Sequence, residues 1–184
     1  RASGTCLFVD VPGLWLLAIA LLAMFSGCAR TDREPAADEL GSVGKTDRSS
    51  TPMFDPVPEG AMRVATFNLR YDNPADGENR WEIRRQSVAR VIRESGAWVV
   101  GTQEGLAHQV NWLDSALTDF TYVGSGRDDG AEKGEFTAIF VDTTRLRIRE
   151  SGTFWLSPTP DSPSVGWDAA LTRICTYALL ETAG

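Results

Sequence analysis

Residues 62–71 read MRVATFNLRY, and residues 98–104 read WVVGTQE. Both stretches are short apolar runs rich in β-branched residues, which is the pattern of buried strands. Each run ends abruptly on a polar side chain, Asn68 in the first and Glu104 in the second. A buried strand that delivers an amide or a carboxylate at its C-terminal end is a common way for an α/β sheet to build a site. Many strands end in a polar residue that only satisfies a turn, so on this pattern alone Asn68 and Glu104 are candidates for one site.

The remainder of residues 61–184 mixes helical and strand patterns. Apolar residues at helical spacing predict helices over residues 81–94 and 106–117, the first ended by Gly96. The arginines of the first of these helices, Arg84 among them, are expected on its solvated face. Strands are further predicted over residues 135–141, which alternate as in a half-buried strand, and over residues 174–181. Residues 146–150 and 153–156 predict another strand or a hairpin, and residues 71–79 and 157–163 predict loops. Strands with intervening helices, followed mostly by strands, predict an α/β sandwich of two β-sheets flanked by helices.

The overall composition is acidic. The formal net charge of −7 argues against strong nonspecific binding to nucleic acid or to an anionic membrane surface. It does not exclude a phosphodiester substrate, because a bound divalent cation can invert the local charge. Cys175 is the one cysteine of the globular part and is expected to be a small apolar residue on a strand. The single histidine, His108, is expected on the surface of the second helix.

The N-terminal region has the pattern of a targeting segment. Residues 11–27 are apolar apart from one serine and lead into FSGC at residues 25–28, which resembles the lipobox of bacterial lipoproteins. We expect residues 1–28 to be a lipoprotein-type signal peptide with lipidation at Cys28, and residues 29–60 to be a flexible tether. An uncleaved anchor helix and an ordinary secretory signal are the alternatives. All three predict export. The lipoprotein-type signal peptide further predicts a bacterial protein held on a membrane by a lipid anchor, in the periplasm or at the cell surface.

Several motifs together resemble the endonuclease/exonuclease/phosphatase superfamily, the DNase I-like fold. After the two opening stretches come GRDDG at residues 126–130, GEFTAIF at 134–140, TFWLS at 153–157 and GWDAA at 166–170. The resemblance implies a phosphoesterase that uses Mg²⁺, or alternatively Mn²⁺. It assigns Glu104 to the metal and Asn68 to catalysis, as a contact of the phosphate or the nucleophilic water. Substrate binding is a hypothesis for Arg70, Glu135 and Arg173, whereas Trp155 and Trp167 are expected to be core or loop anchors.

The resemblance covers only residues 61–184. The second half of the family domain carries an Asn-Thr-His strand end, a Gly-Asp-x-Asn motif and a late Asp-His pair that acts as general base, and none of these occurs in the sequence. We therefore expect an N-terminal part of the domain, without its C-terminal half and inactive alone. The alternatives are a noncatalytic exported lipoprotein or binding module, and an α/β domain outside the family if Asn68 and Glu104 lie far apart. The substrate stays open among nucleic acid, nucleotides, sugar phosphates and lipid head groups.

Overall fold

The computed structural model of the chain describes residues 52–183. The predicted signal peptide, the lipidation site Cys28 and most of the predicted tether lie outside the described residues. Within residues 52–183, the helices are all too short or too polar to cross a membrane.

Two β-sheets and two α-helices make up the described fold. In chain order the elements are β1 (Val64–Asn68), a 3₁₀-helix (Pro74–Asn79), α1 (Trp81–Ser95), β2 (Val99–Gln103), α2 (Ala107–Ala116), β3 (Phe120–Val123), β4 (Ile139–Asp142), β5 (Leu146–Trp155) and β6 (Ile174–Thr182). The first sheet has the strand order β1-β2-β4-β3, and β5 pairs with β6 in the second. β1 and β2 are parallel, whereas the other neighbouring strands are antiparallel.

The central strands β2 and β4 of the first sheet are covered on both faces, which explains their nearly continuous apolar residues. Val100 and Phe140 belong to one core cluster with the buried residues of both helices. Their chain neighbours Val99 and Ile139 belong to a second cluster, which is completed by apolar residues of β5 and β6. Because successive side chains of a strand point to opposite faces, the helices cover one face of this sheet and the β5–β6 sheet covers the other. The predicted α/β fold with two sheets and flanking helices is confirmed.

Three local predictions need correction, and one open alternative is decided. Among residues 52–183, β1 is an edge strand with alternating exposure rather than a buried one, and Val64 is 42% exposed. β4 begins only at Ile139, and residues 139–141 are fully buried rather than half-buried because the helices cover one face of this strand and the β5–β6 sheet covers the other. β5 is one continuous strand with a bulge between Ile148 and Glu150, so the single strand forms and not the hairpin. The loop predicted over residues 71–79 contains the 3₁₀-helix. Cys175 is buried on β6, as predicted.

Two arginines of α1, Arg90 and Arg93, are exposed as predicted, whereas Arg84 and Arg85 are only partly exposed, and Arg85 lies over the Trp112 ring. Arg90 forms an ion pair with Glu94 on the same helix. Arg84 instead donates hydrogen bonds to the backbone carbonyls of Arg70, at 2.6 Å, and Asn79, at 2.9 Å. Burial lowers the pKa of this guanidinium, and nearby carboxylates oppose the shift. Arg84 is therefore a structural tie between α1 and the segment that follows β1.

Candidate functional site

Asn68 and Glu104 are in direct contact at the ends of the two parallel strands. β1 and β2 run in register, so that Asn68 lies opposite Gln103. The Asn68 Nδ2 atom donates a hydrogen bond to Glu104 Oε1 at 3.0 Å. The amide oxygen of Asn68 accepts from the backbone N–H of Arg70 at 2.7 Å, which fixes the orientation of the amide. This contact argues against the alternative of an α/β domain outside the family, which required Asn68 and Glu104 to lie far apart.

The backbone after each strand adopts an unfavourable conformation. Glu104 has a φ of 60° and Arg70 a φ of 54°, both in the left-handed region. For a residue with a side chain this conformation costs about 1–3 kcal/mol, and such residues cluster at functional sites. Gly105 follows directly, and a Cβ atom there would lie 2.9 Å from Val110 and 3.1 Å from Leu69. The tight packing at Gly105 holds the strained Glu104 turn against α2.

Glu104 lies in the wall of a pocket assembled from distant parts of the chain. The pocket is a small, partly open depression with a free volume of about 10 Å³, and its lining includes Glu135 and Arg173. The remaining lining residues are Arg127, Phe136, Thr137, Thr172 and Ile174. Two carboxylates therefore meet two guanidinium groups in one pocket. The structure brings Glu135 and Arg173 to Glu104, as the site hypothesis requires, and their roles stay predictions.

Arg127 is a pocket residue to which sequence reasoning assigned no role. Its Nη1 donates to Glu135 Oε2 at 2.8 Å, and the two side chains are 13% and 24% exposed. The backbone N–H of Arg127 donates to the Glu135 carbonyl at 3.2 Å, so residues 127–135 close as a loop on themselves. Trp155 Nε1 donates to the Arg127 carbonyl at 2.7 Å. In the sequence, the available signal for this pair was two opposite charges, Arg127 and Glu135, eight residues apart on a segment that contains two glycines.

The two tryptophans of the resembling motifs differ in their surroundings. Trp155 is 6% exposed, and a Cβ atom at Gly130 would approach its ring to 2.9 Å. Trp155 is therefore an anchor for the loop that carries Arg127, as expected. Trp167 is 68% exposed and has a φ of 50°. The prediction that Trp167 is a core or loop anchor is wrong.

Arg70 lies away from the pocket that Glu104 lines. Its guanidinium makes two hydrogen bonds to the Asp76 carboxylate, at 3.1 and 3.0 Å, and stacks over the Tyr71 ring. Arg70 and Asp76 line a second, open pocket together with Asn79 and Arg84. The role of Arg70 in substrate binding therefore stays a prediction, and its observed contact is structural.

The Arg70–Asp76 pair predicts a pH dependence in the acidic range. Hydrogen bonding to Arg70 lowers the pKa of Asp76 from its ordinary value of 3.8. A lowered pKa means that the stabilisation is fully present above pH 3.8 and is lost as the pH falls through the lowered value. We expect the difference in unfolding free energy between the native chain and Asp76→Asn to shrink in that acidic range. Urea titrations at a series of pH values would measure it, and a pH-independent difference would contradict the prediction.

Gln109 is the second residue that sequence reasoning missed. Its side chain is fully buried, and it is the third residue of α2. The Oε1 atom accepts from the backbone N–H groups of Asp72, at 2.9 Å, and Leu106, at 3.1 Å. The Nε2 atom donates to the Arg70 carbonyl at 3.1 Å. One buried amide thus ties the segment after Asn68 to the segment after Glu104. In the sequence, the available signal for this role was a glutamine at the third position of the helix, where its side chain can cap the helix N-terminus.

Glu104 and its neighbours could supply only some of the ligands that a divalent cation needs. Among residues 52–183 no three or more Asp, Glu, His or Cys side chains cluster in a way that could hold a metal ion. Mg²⁺ nevertheless binds through one or two carboxylates and keeps several waters. Glu104, oriented by Asn68, offers one such carboxylate. His108 lies elsewhere and is 52% exposed, with Nε2 3.2 Å from Asp72 Oδ2, which agrees with the predicted surface position.

Comparison with known proteins gives matches among solved structures. An endonuclease/exonuclease/phosphatase family protein of Bacteroides thetaiotaomicron has 43% identity and a TM-score of 0.63, over 65% of this chain and 45% of that one. A mannosyl-6-phosphatase of the same species has 42% identity and a TM-score of 0.64, over 66% and 46%. A family protein of Bacteroides vulgatus has 39% identity and a TM-score of 0.65, over 66% and 47%. A scan of protein-family models and a search of curated proteins found no match.

These matches agree with the two-sheet α/β architecture described above. The chain spans slightly less than half the length of the solved structures that it matches. The chain therefore carries part of the DNase I-like fold of the endonuclease/exonuclease/phosphatase family.

Proposed function

We propose that this chain is the part of a Mg²⁺-dependent phosphoesterase that binds the metal and the phosphate. The observation that carries the proposal is the 3.0 Å contact between Asn68 and Glu104 at the ends of two parallel strands. This carboxylate lies in the wall of a pocket that also contains two arginines. Phosphate-ester hydrolysis needs charge neutralised on the phosphoryl oxygens and a positioned water, and these side chains are of the required types.

Each residue has a distinct part in this proposal. Glu104 would hold Mg²⁺, or Mn²⁺ as the alternative, and the bound ion would neutralise phosphate charge and acidify a water. Asn68 orients the Glu104 carboxylate and donates to the phosphate or the nucleophilic water. Arg173, in the same pocket, donates to a phosphate oxygen. Since the lone histidine His108 is exposed on α2 and does not line the pocket of Glu104, a general base would come from outside residues 52–183, and the 184-residue chain alone would bind the substrate without hydrolysing it.

We propose a sugar phosphomonoester as the substrate class. A neighbour with 42% identity is named a mannosyl-6-phosphatase. The net charge of −7 disfavours a long polyanion such as nucleic acid, because binding of that kind depends on basic residues along the phosphate backbone. A single phosphate group needs only a local cluster of cations.

A noncatalytic binding module is the alternative function. The observation that favours it is that residues 52–183 contain no cluster of three or more metal-ligating side chains. In that case the pocket would take up its ligand without a cation. The dependence of binding on Mg²⁺ therefore separates the two candidates.

Isothermal titration of the 184-residue chain with mannose 6-phosphate tests the proposal. We expect binding in Mg²⁺ and a loss of binding in excess EDTA, because Glu104 and Glu135 repel a phosphate dianion unless a cation intervenes. Equal affinity with and without Mg²⁺ would favour the noncatalytic module. No detectable binding in either buffer, with a cooperative unfolding transition to show that the chain is folded, would contradict the phosphoesterase proposal.

We further propose export and lipid anchoring, with the membrane as a partner through Cys28. Support comes from the apolar run before FSGC, since an apolar segment that ends at a lipidated cysteine is removed up to that cysteine. Labelling of bacterial cells with a palmitate analogue is the measurement. Label on the native protein and its absence from Cys28→Ser would agree, whereas equal labelling would contradict it.

A further inference from the structure

The half-buried ion pair between Arg127 and Glu135 has no role in the phosphate chemistry proposed above. Both side chains line the pocket of Glu104 and Arg173, and they are joined at 2.8 Å. We infer that this pair binds the hydroxyl groups of the organic part of the substrate, next to the phosphate. The inference rests on the proposed phosphoesterase function and identifies its specificity-determining residues.

The charges of the pair suit hydroxyl groups better than a phosphate. A phosphate has only acceptor oxygens at its binding surface and would be repelled by Glu135. A hydroxyl group donates one hydrogen bond and accepts others. Neighbouring hydroxyls can therefore donate to the Glu135 carboxylate and accept from the Arg127 guanidinium at the same time. Such hydrogen bonds to charged groups are stronger than those between neutral groups.

The loop of residues 127–135 holds the pair in a fixed arrangement. Three contacts restrain its ends: the backbone bond from Arg127 to Glu135, the Trp155 indole bond to the Arg127 carbonyl, and a 3.1 Å bond from the Thr172 hydroxyl to Asp128. Inside the loop, the Asp129 carboxylate accepts from two backbone N–H groups, and these bonds lower its pKa. Little side-chain freedom is then lost when a ligand binds, which favours affinity.

The position of the pair relative to Glu104 follows from the strand bridges. Phe136, directly after Glu135, forms isolated β-bridges with Gly105 and with Gly126. The backbone N–H of Phe136 donates to the Gly105 carbonyl at 2.7 Å. The residues that follow Glu104 and Glu135 are therefore bonded to each other, and the two carboxylates come from adjoining backbone segments. A phosphate at Glu104 would place the attached sugar along this wall.

A comparison of two ligands tests the inference. A hexose 6-phosphate carries phosphate and vicinal hydroxyls, whereas methyl phosphate carries the phosphate alone. Affinities of both are measured in Mg²⁺ for the native chain, for Arg127→Met and for Glu135→Gln. The control is Arg149→Met, which removes the exposed Arg149–Glu181 ion pair at 3.2 Å on the second sheet. Circular dichroism and thermal unfolding report whether each variant is folded.

We expect the native chain to bind the hexose phosphate about tenfold or more tightly than methyl phosphate. In both pocket variants this ratio is expected to fall towards one, because the hexose phosphate affinity falls by more than any change in the methyl phosphate affinity, and Arg149→Met is expected to keep the native ratio. An unchanged ratio in both folded pocket variants would overturn the inference but leave the proposed function intact. Failure of the native chain to bind either ligand would overturn the proposed function and this inference with it. If Arg127→Met does not fold, Glu135→Gln decides alone.

Discussion

Glu104→Gln is expected to weaken Mg²⁺ binding by about 100-fold or more, while the unfolding temperature changes little. The substitution removes the negative charge that holds the ion, and loss of an outer-shell partner alone costs about 10–100-fold in metal affinity. The glutamine side chain has the same size, and its carbonyl oxygen can still accept from Asn68 Nδ2, which now bonds to Glu104 at 3.0 Å. Isothermal titration of both chains with MgCl₂ measures the change.

Glu82→Gln is the matched control for this measurement. Glu82 pairs with Arg85 at 2.8 Å on the exposed face of α1, and it lies outside the pocket. The same change of charge at Glu82 should leave Mg²⁺ affinity at the native value. Equal Mg²⁺ affinities of the native chain and Glu104→Gln would refute the role of Glu104 as the metal ligand. A similar loss in both variants would point to a general effect of net charge instead.

Gln109→Leu is expected to destabilise the chain by about 3–5 kcal/mol, the largest stability effect that we predict. The leucine leaves two backbone N–H groups and one carbonyl without the partners that Gln109 supplies. A buried unsatisfied group costs about 1–3 kcal/mol, and these partly buried groups are expected at the lower end of that range. Arg84 continues to donate to the Arg70 carbonyl, so that this group keeps one partner and the total stays below the sum of three full penalties. Urea unfolding followed by circular dichroism measures the loss.

Gln86→Leu controls for the exchange of an amide for an apolar side chain. Gln86 is exposed on α1, and surface substitutions of this kind change stability by about 0.5 kcal/mol or less. At temperatures where Gln109→Leu is still folded, we also expect weaker Mg²⁺ binding, because the segments behind Asn68 and Glu104 are no longer tied together. A loss of less than about 1 kcal/mol in Gln109→Leu would show that water replaces the amide.

The contact between Asn68 and Glu104 was predictable because its signals are local. Asn68 and Glu104 each follow a β-branched apolar run directly, and parallel strands in register bring such strand ends to the same edge. The α/β architecture followed from the change between helical and strand periodicity. The same local signals wrongly predicted that β1 is buried. The position of a strand within its sheet depends on the strands that pair with it, and its own residues do not reveal that position.

The sequence by itself determined the two-sheet α/β fold, the pairing of an amide with a carboxylate at the strand ends, and the buried position of Cys175. These features depend on periodicity and on residues that are near one another in the chain. Only the tertiary structure decided that Arg127 joins Glu135, that Gln109 ties two strand-end segments together, and that Arg70 turns to Asp76 instead of the pocket. Each depends on contacts between loops, whose course is set by packing and hydrogen-bond satisfaction across the whole domain rather than by local periodicity.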